Sequence, residues 1–398
     1  MTYKYIKQAI KNQRRTLQEV AAACGISKGY LSQLLNDKVK EPSGQKLQKI
    51  HEYLRIDFPK NNEIQGVIFG KFYPLHTGHV YLIQRAASQV DKLHVILCYD
   101  EPRDKALFDA SQMSKQPTIS DRLRWLLQTF KYQSNIKIHL FNEIGIEPYP
   151  NGWHDWRDSV KEFLNEQGIV PDFIYSSELT DTPKYKELFN AKTILIDPKR
   201  GVMPISGEKI RLNPFQYWEY IPTEVKPFFV RTVAVIGCAL VGKSTLVNKL
   251  SNTFNTTSAW DYKKEYLFTH LGNEVKALQF NDYDKIALGQ AHYIDFAIKF
   301  ANRVVFVDTD FVSLQVSCKK NMGKEHNLIQ AMIDKYRFDL VLLIEDEKNQ
   351  TNMSTRTKVI IDSLDKNAIG YVRIKESDYD KRYLACVEQV NQLLGFKE

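Results

Sequence analysis

The chain of 398 residues has little of several things, and each scarcity removes a class of protein. No apolar run approaches the roughly 20 residues that cross a bilayer as a helix, so membrane insertion is not expected. The opening Met-Thr-Tyr-Lys-Tyr lacks the apolar core and small-residue cleavage site of a secretory leader. Only five cysteines occur (Cys24, Cys98, Cys238, Cys318 and Cys386), scattered, odd in number and without a C-x-x-C. That argues against a disulfide framework or zinc site and for reduced thiols in a cytoplasmic protein. There is no internal repeat and no low-complexity tract, which removes solenoids and disordered tails. Neither sign of charge dominates: a formal net charge of +8 is modest for this length. It favours anionic ligands such as nucleotides and by itself does not establish nucleic-acid binding. With 43% hydrophobic and 26% charged residues the composition is globular, and the length suits two or three domains.

Two phosphate-binding patterns are present, of different design. The apolar run Val67-Ile68-Phe69 leads into Gly70, Lys71, Phe72, Tyr73, then His76, Gly78 and His79, and on into an amphipathic segment carrying Val80, Leu82, Ile83, Ala86 and Ala87. A strand, a glycine-bearing turn, two histidines three apart and a helix start describe a corner where backbone N–H groups and the positive helix end meet triphosphate oxygens. His76 and His79 can donate to the same phosphates; the bland alternatives are a His-x-x-His metal pair or a chance turn. Downstream, Thr232 to Ile236 reads as a buried strand, and Gly237 to Ser244 fits G-x-x-x-x-G-K-[ST] ahead of a helix beginning near Thr245. Gly237 and Gly242 let amides face the phosphates, Lys243 reaches the β and γ oxygens, and Ser244 can ligate Mg²⁺. A strand from Val304 ends at Asp308, the position of a second Mg²⁺ ligand. No guanine-reading N/T-K-x-D is evident, which weighs against a GTPase.

The spacing divides the chain into three. Residues 1–58 are basic and helical: a helix from Leu17 ends at Gly25, and Ser27 caps a second helix from Lys28 to Asn36. A small residue at Ala21, the turn glycine and an apolar residue after it resemble a Cro/C1-type helix-turn-helix. Lys28, Tyr30, Ser32, Gln33 and Asn36 then lie on or near the exposed face of the second helix, and Arg14, Arg15, Lys38 and Lys40 are placed for phosphates. Operator DNA is one partner for this module; a helical module that no longer reads DNA is the other reading. A polar linker, Pro59 to Glu63, follows. Over residues 63–225 apolar runs near 64–69, 93–99, 136–141, 172–176 and 193–197 alternate with amphipathic segments, the pattern of a parallel α/β sheet. The Pro- and aromatic-rich stretch from Asn213 to Phe229 reads as a connector whose rings pack between domains. Residues 230–398 form the second α/β unit. The expected fold class is therefore a helix-turn-helix module, a Rossmann-like α/β domain and a P-loop α/β domain.

At Gly70 to His79, Trp153 to Trp156, Ser176 to Glu178, Asp197 to Arg200, Ile205 to Arg211 and Pro214 to Trp218 the chain resembles the NadR family, a fusion of nicotinamide mononucleotide adenylyltransferase and ribosylnicotinamide kinase, often behind a helix-turn-helix. Domain order matches across nearly the whole chain. The resemblance implies that the 5′-phosphate of nicotinamide mononucleotide attacks the α-phosphorus of ATP, giving NAD and pyrophosphate, with His76, His79, Lys71, Ser206 and Arg211 working on the phosphates and Mg²⁺ assisting. Gly70, Phe72, Tyr73 and Gly78 belong to the same nucleotide site. For Trp153 and Trp156 two readings stand: a stack on the cationic nicotinamide ring, or a pair of core tryptophans at i, i+3. In the kinase the resemblance implies ATP contacts from Gly237, Gly242, Ser244, Thr245 and Arg356, riboside contacts from Trp260, Tyr262 and Asp310, and a carboxylate base or ribose acceptor at Asp261; which carboxylate is the base stays open. Homo-oligomers are expected. Two departures matter. Glu208 stands where a hydroxyl residue is expected, and the segment from Glu345 to Arg356 lacks the glycine of the family's lid, although Arg356 and Lys358 are available to γ-phosphate. These departures motivate a rival reading, an NAD- or ATP-sensing DNA-binding regulator with impaired enzymatic domains.

Overall fold

The computed structural model describes residues 3–36, 38–39, 42–56, 63–148, 151–189, 191–238, 241–345 and 352–396. The expected linker from Pro59 to Asn62, Lys40 and most of the expected lid lie outside the described residues. Among the described residues no helix is long and apolar enough to cross a membrane.

The first 56 residues fold as four helices, Lys4–Asn12, Leu17–Ala23, Lys28–Leu35 and Gly44–Leu54. Thr16 and Glu19 close a reciprocal capping box at the start of the second. The Ser27 hydroxyl accepts from the Tyr30 N–H at 3.1 Å, which is the expected cap of the third. Their apolar faces meet in a separate core built on Ile6, Val20, Ala21, Leu31, Leu34, Ile50 and Leu54. The third helix stops one residue short of Asn36, whose side chain donates to the Ser32 carbonyl at 2.9 Å and ends the element.

Two parallel five-stranded sheets follow. The first holds β1 (Gln65–Gly70), β2 (Lys92–Tyr99), β3 (Ile136–Asn142), β4 (Phe173–Ser176) and β5 (Lys192–Leu195) in the order β3-β2-β1-β4-β5. The register runs from Gln65 against Lys92 to Gly70 against Leu97. The second holds β6 (Arg231–Gly237), β7 (Ser258–Ala259), β8 (Val304–Asp308), β9 (Leu340–Ile344) and β10 (Val372–Ile374) in the order β10-β9-β6-β8-β7. Central strands such as β8 are buried along their whole length, because helices cover both faces. In both sheets the chain leaves its first strand at the point where strand order reverses, the position at which open parallel sheets bind ligands beyond their C-terminal ends.

The connector does what its composition predicts. Only Trp218–Tyr220 and Lys226–Phe229 are helical, and Phe215, Trp218, Ile221 and Phe229 are buried in a core continuous with both sheets. Phe228 meets Trp125 of the first sheet's layer edge-on at 5.2 Å, and Arg303 of the second unit donates to the Phe215 carbonyl at 3.0 Å. The two α/β units therefore share one apolar mass.

One residue of β6 is held there by a close approach. Gly237 has φ +143°, and a Cβ on it would stand 2.5 Å from the Ile344 carbonyl oxygen of β9. Gly237→Ala is expected to cost about 2 kcal/mol of local stability. Amide hydrogen exchange along β6 and β9 should accelerate roughly 30-fold, and unchanged exchange there would contradict the contact.

Candidate active sites

β1 delivers the chain to the first site, and a helix receives it. After Gly70 the chain turns through Lys71 to Leu75 and enters the helix Thr77–Ala87, whose N-cap is His76. The His76 Nδ1 accepts from the His79 N–H at 3.3 Å, which leaves Nε2 as the donor of a neutral ring. A Cβ at Gly78 would stand 3.0 Å from that imidazole, tight enough that the ring would have to give by a few tenths of an ångström. The His79 ring stacks on His76 at 3.6 Å and meets Phe72 edge-on at 5.1 Å. Its Nδ1 is buried without a hydrogen-bond partner.

These rings form one wall of a cavity of about 430 Å³; Lys71, Arg200, Ser206 and Arg211 supply the others. Ser206 caps the helix Gly207–Leu212, and Arg211 donates to the Tyr73 carbonyl at 2.7 Å, pinning the turn from behind. Asp197 takes the amides of Gly201, Val202 and Met203, which fixes the loop bearing Arg200. Burial, then the Arg200 charge, pushes the His79 imidazole down to about 3. Burial, with His79, Arg200 and Arg211, holds His76 well below the usual imidazole range. Both rings are neutral donors at pH 7, and the cationic work falls to Lys71, Arg200 and Arg211. Glu208 lines the mouth of the cavity and is solvent-exposed on the first turn of its helix, where a carboxylate suits the helix dipole.

Beneath the turn sits a group that no motif announces. Arg122 is 1% exposed, donates to the Lys71 carbonyl at 3.0 Å, pairs with Asp104 and lies 5.1 Å over the Tyr73 ring. Asp104 in turn stands 3.7 Å from the Lys71 ammonium. Such a buried pair fixes geometry more than it adds stability.

On the other side of Lys71 lies a second cavity, of about 320 Å³, walled by Gly70, Cys98, Glu143, Trp153, Trp156 and Tyr185. Trp153 and Trp156 meet edge-on at 5.4 Å, and Phe69 packs against Trp156 at 5.0 Å. The tryptophans thus both line a cavity and pack a core.

In the second unit β6 and β8 end side by side. Lys243 donates to the Cys238 carbonyl at 2.6 Å, closing the phosphate loop on itself. The Ser244 hydroxyl donates to Asp308 Oδ2 at 2.5 Å, while Asp308 Oδ1 is buried with no hydrogen-bond partner. The Ser244 hydroxyl and the single carboxylate of Asp308, one oxygen of which is orphaned, are hard oxygen donors that fit Mg²⁺. Lys264 reaches Ser244 at 2.8 Å and Asp308 at 3.3 Å. Burial holds the Lys243 ammonium below the usual lysine range and raises Asp261. Beside them a cavity of about 560 Å³ is lined by Trp260, Asp261, Lys264, Glu265, Tyr293 and Phe296.

Comparison with known proteins gives three family models in the same order: helix-turn-helix over residues 6–60, cytidylyltransferase-like over 67–213 and AAA domain over 232–382. The chain is 58% identical over 405 aligned residues to the Trifunctional NAD biosynthesis/regulator protein NadR of Escherichia coli (strain K12), covering 99% of each. The chain belongs to the NadR family. The protein of the same name from Salmonella typhimurium (strain LT2) is 57% identical over 99% of both chains. A solved NadR protein, in complex with NAD and AMP-PNP, superposes with a TM-score of 0.70 at 24% identity, over 85% of this chain and 98% of that one, and so shares its fold.

Against the sequence reading, this NadR-family chain brings His76, His79, Lys71, Tyr73, Gly78, Ser206 and Arg211 around one cavity, and Trp260 and Asp261 around another. Three residues go elsewhere. The Tyr262 ring packs against Tyr293 at 5.2 Å and is not among the residues lining the cavity beside Trp260 and Asp261. Asp310 is 2% exposed and accepts from the Ser313 N–H at 2.8 Å as the cap of Phe311–Met322, away from that cavity. Tyr30 is half-buried beneath the Lys46 ammonium, whereas Lys28, Gln33 and Asn36 are exposed on the N-terminal module. Thr245 is exposed on the helix Lys243–Thr253, and the side chain of Arg356 lies outside the described residues. Arg122, whose partner Lys71 lies 51 residues away, and Phe296 were missed, while Arg200, although it closes the Asp197 to Arg200 motif, and Lys264 were given no role.

The lowered histidines make stability pH-dependent. A ring pushed to about 3 from an ordinary 6.5 stabilises the fold fully above pH 6.5 and progressively less as pH falls toward 3. The unfolding temperature of the residues around the first site is expected to drop across that window. His79→Asn should flatten the slope by its own share, His76, His94 and His139 keeping theirs.

Proposed function

We propose that this chain makes NAD in two steps and also reads DNA. The P-loop unit phosphorylates nicotinamide riboside on its 5′-hydroxyl with ATP. The Rossmann-like unit then joins the resulting mononucleotide to the adenylyl group of a second ATP, releasing pyrophosphate. The observation that carries the reading is the position of Lys71, whose side chain borders both the histidine cavity and the tryptophan cavity. A triphosphate against His76, His79, Arg200 and Arg211 and a mononucleotide ring beside Trp153 and Trp156 would meet at that ammonium, one phosphate from each side.

Adenylyl transfer asks little covalent chemistry of the protein. An oxygen of the mononucleotide phosphate attacks the α-phosphorus, and the bond to the bridging oxygen of pyrophosphate breaks. Positioning and charge stabilisation supply the rate. The neutral imidazoles donate hydrogen bonds without repelling Arg200 and Arg211, and the buried Arg122–Asp104 pair holds the turn in place. In the kinase Ser244 and Asp308 would hold Mg²⁺, which supplies neutralisation of the polyphosphate charge. Lys243 faces the transferred phosphate, Asp261 accepts from the riboside hydroxyls, and Trp260 and Phe296 flank the ring. Glu208 at the exposed mouth leaves the phosphate path clear. The N-terminal module, with its own core and an exposed Lys28 and Gln33, supports operator binding as the third activity.

Product analysis with Mg²⁺-ATP tests the assignment. His79→Ala is expected to lower NAD formation from the mononucleotide about 100-fold or more while leaving riboside phosphorylation intact. Lys243→Ala should do the reverse. Loss of both activities in either folded variant would break the two-site reading.

A further inference from the structure

Glu143 directly follows β3 and is 8% exposed. Its N–H donates to the Tyr99 carbonyl at 2.9 Å, which seats it at the C-terminal edge of the sheet in the wall of the tryptophan cavity. One carboxylate oxygen accepts from the Trp156 indole N–H at 2.9 Å, and the buried Cys98 thiol is its other hydrogen-bonding neighbour. Both are neutral groups. The cations bordering the cavity are engaged with other carboxylates: Arg103 with Asp100 at 3.1 Å, Lys71 with Asp104 at 3.7 Å. Among the described residues no cation forms an ion pair with Glu143. Two more carboxylates, Glu147 and Asp181, line the same space. A carboxylate withdrawn from water among neutral donors is an uncompensated charge, and aromatic faces beside it add to the pull on a cation.

We propose that Glu143 is the charge filter of this cavity. It admits the pyridinium mononucleotide that carries a neutral carboxamide and rejects the one that carries a carboxylate at the same ring position. The inference rests on the adenylyl-transfer reading of the site. With the carboxamide the ring is a net cation and offers N–H donors, both matched to Glu143. With the carboxylate, a further negative charge comes beside the buried Glu143 in a space that Glu147 and Asp181 also line, and like-charge contact there is unfavourable. The bonds made and broken at phosphorus are the same for both substrates, so the residue acts on selection and not on the chemical step.

The test measures kcat/KM of the full chain with Mg²⁺-ATP for nicotinamide mononucleotide and for nicotinic acid mononucleotide, in wild type, Glu143→Gln and Glu143→Asp. Glutamine keeps the shape and an acceptor for Trp156. It is expected to lower the amide-to-acid ratio by at least about tenfold, with the acid substrate gaining. Aspartate keeps the charge and should hold most of the ratio. Tryptophan fluorescence quenching by each mononucleotide without ATP gives the same ratio as affinities, independent of turnover. An unchanged ratio in Glu143→Gln, or an equal loss with both substrates, overturns the filter and leaves the adenylyl-transfer reading standing. Wild type that makes no dinucleotide from either mononucleotide overturns both.

Discussion

Phosphate oxygens need amides, ammonium and guanidinium groups at a place where no side chain of the sheet intrudes, and a parallel sheet covered on both faces leaves that place at the C-terminal ends of its strands. Most of what is distinctive in this molecule follows from meeting that constraint twice. After β1 the chain turns into a helix capped by a histidine; after β6 it turns into a helix begun by Lys243. The first corner is built for side-chain donors, with rings stacked at 3.6 Å, and the second for backbone amides and one ammonium. The two designs suit two reactions, one splitting a triphosphate at its α-phosphorus and the other at its γ.

The shared core between the α/β units is the second determinant. Phe215, Trp218 and Phe229 are buried where the layers meet, and Arg303 fastens the connector to β8 through the Phe215 carbonyl. An exposed linker with as many rings would be an adhesive patch. Here the rings are spent on fixing one unit against the other. The helix-turn-helix module has its own core and, among the described residues, shares no buried residue with that mass.

Much of this was legible because local chemistry and global placement agree. Strand runs buried on both faces read as continuous apolar stretches, and Ser27 announces a helix start by type and spacing. The histidine corner and the phosphate loop carry Gly70, Gly78 and Gly237 where an added Cβ would crowd a neighbour, and Gly242 where φ is +83°. What stayed hidden depends on partners far along the chain. Arg122 matters because Lys71, 51 residues earlier, turns above it, and Glu143 because Trp156 reaches back to it. Two of the expected side chains are taken up locally. Asp310 is consumed as a helix cap, and Tyr262 turns into the gap beside Tyr293. The strand β7, Ser258 and Ala259, is short because it is the sheet's edge and, among the described residues, pairs only with β8.

The uncharged state of the paired imidazoles has a bearing on what the pocket does between turnovers. Two imidazolium ions beside Arg200 and Arg211 would make a trap for orthophosphate and for the pyrophosphate just released, and the enzyme would spend its time occupied by its own leaving group. Rings held neutral add hydrogen-bond donors to that pocket without adding charge. Burial, the same property that shaped the corner, thus keeps two further cations out of it.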